Sequence, residues 1–181
     1  MKVVREKTQY HHWKNTSSVT TWFNSLKNKE HLSFIQFDIM ELYPSITKDL
    51  LSKALDFASQ YTRITAEERK IIFQTKKTLL FSNKQTWSKK QNKDFNVSMG
   101  SWDGAEVCEI VGLFLLSKLQ LQHLAIVIGL YRDDGLGVTS LRPRLAEMEK
   151  QKVISIMKDY GLNITAKAND LSVNFPAIHA V

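Results

Sequence analysis

The clearest alternation of apolar and polar positions in this chain lies at Ser33–Ile39 (SFIQFDI), where β-forming residues repeat with a period of two and predict a strand. Beyond it the period lengthens. After a turn at Tyr43-Pro44-Ser45, Leu51, Ala54, Leu55 and Ala58 fall at helical spacing over 48–61, with Thr47 placed to cap the first turn. Thr65 and Glu68 have the spacing of a capping box and open a second helix, in which Ile71, Ile72, Thr75 and Leu79 share a side. Asp103 and Glu106 repeat that signature ahead of a third helix. Its Val107, Ile110, Val111, Phe114, Leu115 and Leu119 make it apolar on most faces, as a buried central helix must be. Residues 124–131 (LAIVIGLY) form a short apolar run, the polar Arg132-Asp133-Asp134-Gly135 follows, and apolar residues resume over 136–139. This pattern predicts a hairpin, with Asp-Gly as a favoured turn pair. A fourth helix spans 143–160, with Pro143 in its first turn and Gly161 as its stop. Residues 162–168 return to strand, and 171–181 read as an extended tail broken by Pro176. Residues 1–31 are polar with scattered aromatics and predict a partly ordered lead-in.

Taking the third helix as the first crossover, the order is strand, helix, two-stranded hairpin, helix, strand. That is an α+β chain with the ferredoxin-like split β-α-β-β-α-β antiparallel sheet, two additional helices being inserted after the first strand. The expected division is a lead-in over 1–31, a core over 32–170 and a tail over 171–181. In this topology the first strand lies beside the hairpin, so Asp38 at its end becomes a neighbour of Asp133 and Asp134 at the hairpin tip.

Composition narrows the function classes. The 181 residues are 43% apolar and 24% charged, an ordinary globular balance of one-domain size. A single cysteine, Cys108, cannot form an internal disulfide; it lies on the apolar third helix and reads as a packed thiol in an intracellular (nuclear or cytoplasmic) protein. No apolar run approaches the roughly 20 residues of a bilayer span, so no membrane partner is expected. His11, His12, His31, His123 and His179 lack zinc-ligand spacing, and no phosphate-binding glycine loop of the P-loop or dinucleotide type occurs. The net charge is 25 − 18 = +7, and it is unevenly placed. Lys76, Lys77, Lys84, Lys89, Lys90 and Lys93 follow one another with no acid between them and with Phe81 and Trp87 interleaved. Lysines neutralise phosphates and aromatics stack on bases, so this stretch is a candidate nucleic-acid face; its plainer reading is a solvated surface loop.

An isolated Asp-Asp-Gly is an ordinary polar turn. Three carboxylates converging on one spot are different, because they repel one another unless a cation compensates. Hard oxygen donors with open positions suit Mg²⁺, and a pair of such ions about 3.5–4 Å apart supports in-line phosphoryl displacement.

At these residues the chain resembles a known family. Tyr131-Arg132-Asp133-Asp134 matches the Y-x-D-D box of reverse transcriptases, in an apolar strand-turn-strand context. Phe37-Asp38-Ile39-Met40-Glu41-Leu42-Tyr43 is similar to their first catalytic motif, with an aromatic five residues after the aspartate. Met99-Gly100-Ser101 resembles the glycine-bearing motif, and Gly161-Leu162-Asn163-Ile164 with Lys167 resembles a later palm motif. The wording of the first motif and of Met-Gly-Ser is most similar to Penelope-like and related retroelements. The resemblance covers 33–168 and implies a polymerase palm, and with it RNA-directed DNA synthesis from an RNA template, a DNA primer and deoxynucleoside triphosphates.

The resemblance also implies roles. Asp38 and Asp133 bind two Mg²⁺ ions, with Mn²⁺ as the alternative, and Asp134 is a third acid of the catalytic and metal site. Tyr43 is a steric gate against the 2′-hydroxyl, Gly100 admits the nucleotide, and Lys167 donates a proton to the leaving pyrophosphate. Departures are equally plain: Met99 stands where glutamine is usual, and Trp102-Asp103-Gly104-Ala105 replaces a proline-containing step. Only 37 residues precede Asp38, and Arg5, Lys7 and Lys14 match no fingers motif; with little chain after Lys167 for a thumb, a palm core or fragment is expected. The alternatives are an inactive nucleic-acid-binding remnant and another palm-type nucleotidyltransferase.

Overall fold

The computed structural model describes residues 2–77, 80–87, 95–122 and 124–170. In chain order its elements are α1 (Lys2–Thr8), β1 (His11–His12), α2 (Thr16–Ser25), a 3₁₀ turn (Lys29–His31), β2 (Ser33–Ile39), α3 (Leu42–Ser45), α4 (Lys48–Ser59) and α5 (Ala66–Thr75). There follow β3 (Leu80–Ser82), β4 (Gln85–Trp87), α6 (Gly104–Leu121), β5 (Val127–Tyr131), β6 (Asp134–Thr139), α7 (Pro143–Asp159) and β7 (Ile164–Asp170). They gather into two compact units. One holds the residues up to Thr8 with Glu41–Phe114, and the other holds Gln9–Met40 with the described residues from Leu115 on. The division expected between residues 31 and 32 does not fall on this boundary, and the expected tail at 171–181 lies outside the described residues.

The second unit carries the sheet, in the order β1-β5-β6-β2-β7. β2 pairs antiparallel with β6 on one side and β7 on the other, and β5 pairs antiparallel with β6. The strands β7-β2-β6-β5 therefore reproduce the ferredoxin-like order expected from the sequence. Ile35, Phe37 and Ile39 are buried while Gln36 and Asp38 are exposed, so β2 has one covered face and one open one. α7 packs against β2 and β7 and buries Ala146, Val153 and Met157. It ends in a Schellman motif: Gly161 has φ +75°, its N–H donates to the carbonyl of Lys158 at 2.9 Å, and the Leu162 N–H donates to that of Met157 at 3.1 Å.

The lead-in is more ordered than its polarity suggests. β1 adds a parallel edge strand, His11 opposite Gly129 and His12 opposite Leu130, and the Trp13 N–H donates to the Leu130 carbonyl at 2.8 Å. Trp13 is buried with its indole directly over Gly129, where a Cβ would come within 2.4 Å of the ring. α2 is capped by Asn15, whose side chain accepts from the Ser18 N–H at 2.8 Å.

In the first unit α4 begins at the expected cap, the Leu50 N–H donating to Thr47 Oγ1 at 3.1 Å, and buries Leu50, Leu51, Ala54, Leu55, Phe57 and Ala58. Phe57 meets Phe114 of α6 edge-on at 6.1 Å. The expected turn at Tyr43-Pro44-Ser45 is wound into the single turn of α3, which Pro44 permits because a first-turn N–H needs no partner. α5 has the reciprocal capping box of Thr65 and Glu68 but ends at Thr75 and fully buries none of its residues. Its apolar side, with Ile72 and an exposed Ile71, instead borders an open cleft of about 460 Å³ shared with Val4, Leu51, Leu55 and Ile110; Leu79 lies outside the described residues. α6 is the buried central helix, with Val111, Leu113, Phe114, Leu115 and Leu116 almost wholly covered. β3 and β4 form a small hairpin across Asn83 and Lys84, both at positive φ, within the lysine-rich stretch. No helix among the described residues is long and apolar enough to cross a membrane.

Candidate active site

The three acids meet at one end of the sheet. Asp38, on the open face of β2, is the register partner of Asp134 at the start of β6, which sets their Cβ atoms about 5 Å apart on one face. The hairpin turns on Arg132 and Asp133, with Arg132 at φ +56°, and not on the Asp-Gly pair; Asp134 and Gly135 already belong to β6. Asp133 is held beside the end of β2, because the Ile39 N–H donates to its carbonyl at 2.9 Å. Gly135 is dictated by packing, since a Cβ there would lie 2.0–2.4 Å from the ring of Phe37, its partner across the strands.

Electrostatics record the crowding. The Asp134 carboxyl is held above the ordinary carboxylate value, first by partial burial and then by the charges of Asp133 and Asp38. Arg132 does not relieve it, for its guanidinium stacks 5.5 Å from the Tyr131 ring centroid. The ion pairs of the described residues engage other acids, namely Glu6, Glu30, Asp49, Asp56, Asp103, Glu109, Glu147 and Glu149. Nor do three His, Cys, Asp or Glu side chains among the described residues gather tightly enough to hold a metal ion by themselves. The donor set is thus hard, anionic and uncompensated, a chemistry that fits Mg²⁺ or Mn²⁺ whose coordination is completed by substrate phosphates and water.

The open face of the sheet continues the site. Thr165 of β7 stands opposite Asp38, and Lys167 stands opposite Gln36, two residues back along β2. Gln36, Thr165 and Lys167 are exposed on the same face as Asp38 and Asp134. Lys167, to which the resemblance gives a proton-donating role, is thus an exposed residue of β7 on this face. Gln36 and Thr165 were passed over, although the alternation of Ser33–Ile39 already places Gln36 with Asp38.

Tyr43 and Gly100 belong to the other unit. Tyr43 is half-buried on α3, and its Cε1 lies 3.5 Å from the position a Cβ on Gly104 would take. Such a Cβ would also come 2.6 Å from Ser101 Oγ and 2.9 Å from the Ser98 carbonyl, so Gly104, which the motif comparison passed over, is the tightly packed glycine here. Gly100 needs its glycine for a different reason: φ is +82°, with open space around it.

The lysines do not act as one face. Lys77 and Lys84 are exposed, Lys84 at the tip of the β3–β4 hairpin. Lys76 corrects the expectation: it is 2% exposed and its ammonium pairs with Asp103, which leaves it no phosphate to meet. Lys89, Lys90 and Lys93 lie outside the described residues.

The chain matches no protein-family model and no curated protein. Solved structures do share its fold. The apo telomerase of Candida tropicalis superposes with a TM-score of 0.72 at 12% identity, over 96% of this chain and 36% of that one. Telomerase from the same organism in complex with a TWJ fragment of telomeric RNA gives 0.68 at 13% identity, over 96% and 35%. Candida albicans telomerase in a complex of the same kind gives 0.66 at 13%, over 97% and 33%. The chain spans about a third of the length of those telomerases. Telomerase is a reverse transcriptase, and the likeness shows a reverse-transcriptase-like, palm-like α+β fold.

Proposed function

We propose that this chain is the palm core of a retroelement RNA-directed DNA polymerase. The observation that carries the reading is the cross-strand pair Asp38–Asp134, with Asp133 hydrogen-bonded beside it through the backbone. The reaction is nucleotidyl transfer: the primer 3′-hydroxyl attacks the α-phosphorus of a deoxynucleoside triphosphate, the bond to the β-phosphate breaks, and pyrophosphate leaves. Asp38 and Asp133 would hold the Mg²⁺ ions, which when bound lower the pKa of the attacking hydroxyl and offset phosphate charge. Asp134 adds negative charge at the same spot. Lys167 would give a proton to the leaving pyrophosphate, a role supported by its exposure on the sheet face that carries Asp38. Tyr43 would be the gate against a 2′-hydroxyl, a role that rests on its offset of five residues from Asp38. No protein nucleophile takes part, so positioning and electrostatics supply the rate.

Primer extension on an RNA template with Mg²⁺, comparing wild type with Asp133→Asn, tests the assignment. Loss of incorporation by at least ~100-fold is expected when a charge-stabilising group of this kind is removed; equal incorporation removes Asp133 from the chemistry. Tyr43→Ala should admit ribonucleotides, and unchanged sugar discrimination rejects the gate. A second reading, an inactive nucleic-acid-binding remnant, is favoured by the exposed Lys77 and Lys84 of the lysine stretch. It predicts salt-dependent nucleic-acid binding with no incorporation by wild type under either Mg²⁺ or Mn²⁺.

A further inference from the structure

Trp102 is 98% exposed and Met99 80%, on a turn of the first unit. The turn closes through the Ser101 N–H to the Ser98 carbonyl at 3.1 Å, and Gly100 at its apex faces open space. An indole with almost no protein contact contributes little to folding, yet the turn that carries this one is hydrogen-bonded on both flanks. On one flank the Asn96 N–H donates to the Lys76 carbonyl at 2.8 Å, Phe95 bridges to Lys77, and its ring lies 6.3 Å from Phe73. On the other flank Asp103 pairs with the buried Lys76 and accepts from Thr75 Oγ1 at 3.3 Å. Both ends of the turn are thereby fastened to the C-terminal end of α5.

That fastening has a chemical consequence. Trp102 and Lys77 are far apart in sequence, but each is the immediate neighbour of one member of the Asp103–Lys76 pair. The pair therefore ties the backbone at Lys77 to the backbone at Trp102, both of them exposed residues, and it neutralises the acid that adjoins Trp102. An aromatic platform with an adjacent cation is what a single-stranded nucleic acid requires: a base to stack and a phosphate to neutralise. A duplex offers its internal bases already stacked, so only its two terminal pairs could use the platform.

We infer that Trp102 and Lys77 form a stacking station for one nucleotide of a single strand, positioned by the Lys76–Asp103 ion pair. The inference rests on the nucleic-acid half of the proposed function and not on its chemistry. Fluorescence anisotropy of the full chain with a labelled single strand of about 20 nucleotides, oligo(dT) or oligo(rU), without divalent ion or nucleotide, tests it. Trp102→Ala should weaken binding ~5- to 100-fold and Trp102→Phe much less, because the phenyl ring keeps a stacking face. Lys77→Gln should lower the slope of log affinity against log salt by about one phosphate contact. A blunt duplex of the same length, with only its two terminal pairs open to stacking, should depend on Trp102 far less. Because the indole touches almost nothing, the thermal midpoint of Trp102→Ala should equal that of wild type, which separates binding loss from misfolding. Equal single-strand affinity of wild type and Trp102→Ala overturns the station, as does an equal loss on duplex; either result would leave the patch to a protein partner. The extension assay with Asp133→Asn is a separate readout, so the station and the carboxylate assignment can fail independently.

Discussion

At the scale of single residues, the crowding of Asp134 by its neighbours makes stability depend on pH. A carboxyl whose folded pKa lies above its unfolded value keeps its proton more tightly in the folded chain. Asp134 is such a group, through partial burial and the charges of Asp133 and Asp38. Its contribution favours folding while the carboxyl is protonated, and it is lost as pH rises from the ordinary carboxylate value through the raised one. Asp134→Asn should therefore be more stable than wild type at neutral pH in low salt without divalent ions, and the two should converge in acid. Added Mg²⁺ should stabilise wild type more than the variant, since an ion that binds only the folded site adds to its stability. Thermal midpoints followed from about pH 4 to 7 decide the matter; a variant less stable at neutral pH would show that the acids do not strain one another. These acids were legible in the sequence because their apolar strand contexts and order put them on converging elements. Gly104 and the Gln36–Lys167 juxtaposition were not, since they depend on which side chain lies opposite, a matter of register that spacing along one strand does not contain.

At the scale of elements, the hairpin that presents Asp133 and Asp134 is locked by one void filled with one ring. Gly135 leaves the space, and Phe37 of the adjacent strand occupies it. Gly135→Ala should cost about 1–3 kcal/mol, the usual effect of overpacking a filled site. The cost should shrink in a Phe37→Leu background, where the ring atoms nearest the added methyl are gone. Urea midpoints of the four proteins give the coupling; additive losses would mean that the hairpin is fixed by something other than this contact. Elements with strong local chemistry were equally readable: the Thr65–Glu68 box, the Thr47 cap, and the Pro143 start and Gly161 stop of α7 all stand where expected. β1 was not, because two histidines carry no periodicity and the strand exists through its pairing with β5 and the covering Trp13. The β3–β4 hairpin escaped for a related reason: three-residue strands around Asn83-Lys84 have too few positions to alternate.

At the scale of the whole molecule, the chain leaves its first unit after Thr8 and returns to it at Glu41. A seven-residue helix is too short to be stable alone, so α1 must be held by what it touches. Val4 is buried to 1% and borders the cleft lined by Leu51, Leu55, Ile72 and Ile110. Arg5 pairs with Glu109 at 2.7 Å, and the Lys7 ammonium donates to the Tyr61 carbonyl at 2.9 Å. Val4→Asp would place an uncompensated carboxylate against that apolar lining, at a cost of about 3 kcal/mol or more. The loss should be local before it is global. Hydrogen exchange should accelerate first in α4, α5 and the N-terminal half of α6, while amides in β2 and β6, which share no residue with that unit, keep their protection under mild conditions. Uniform acceleration throughout would instead make the two units one cooperative body. The result bears on the proposed function, because Tyr43 and Gly100, with the proposed station at Trp102, belong to the unit that α1 helps to hold, whereas the carboxylates do not. A variant loosened at Val4 should lose single-strand affinity while the Asp38–Asp134 pairing in the sheet persists.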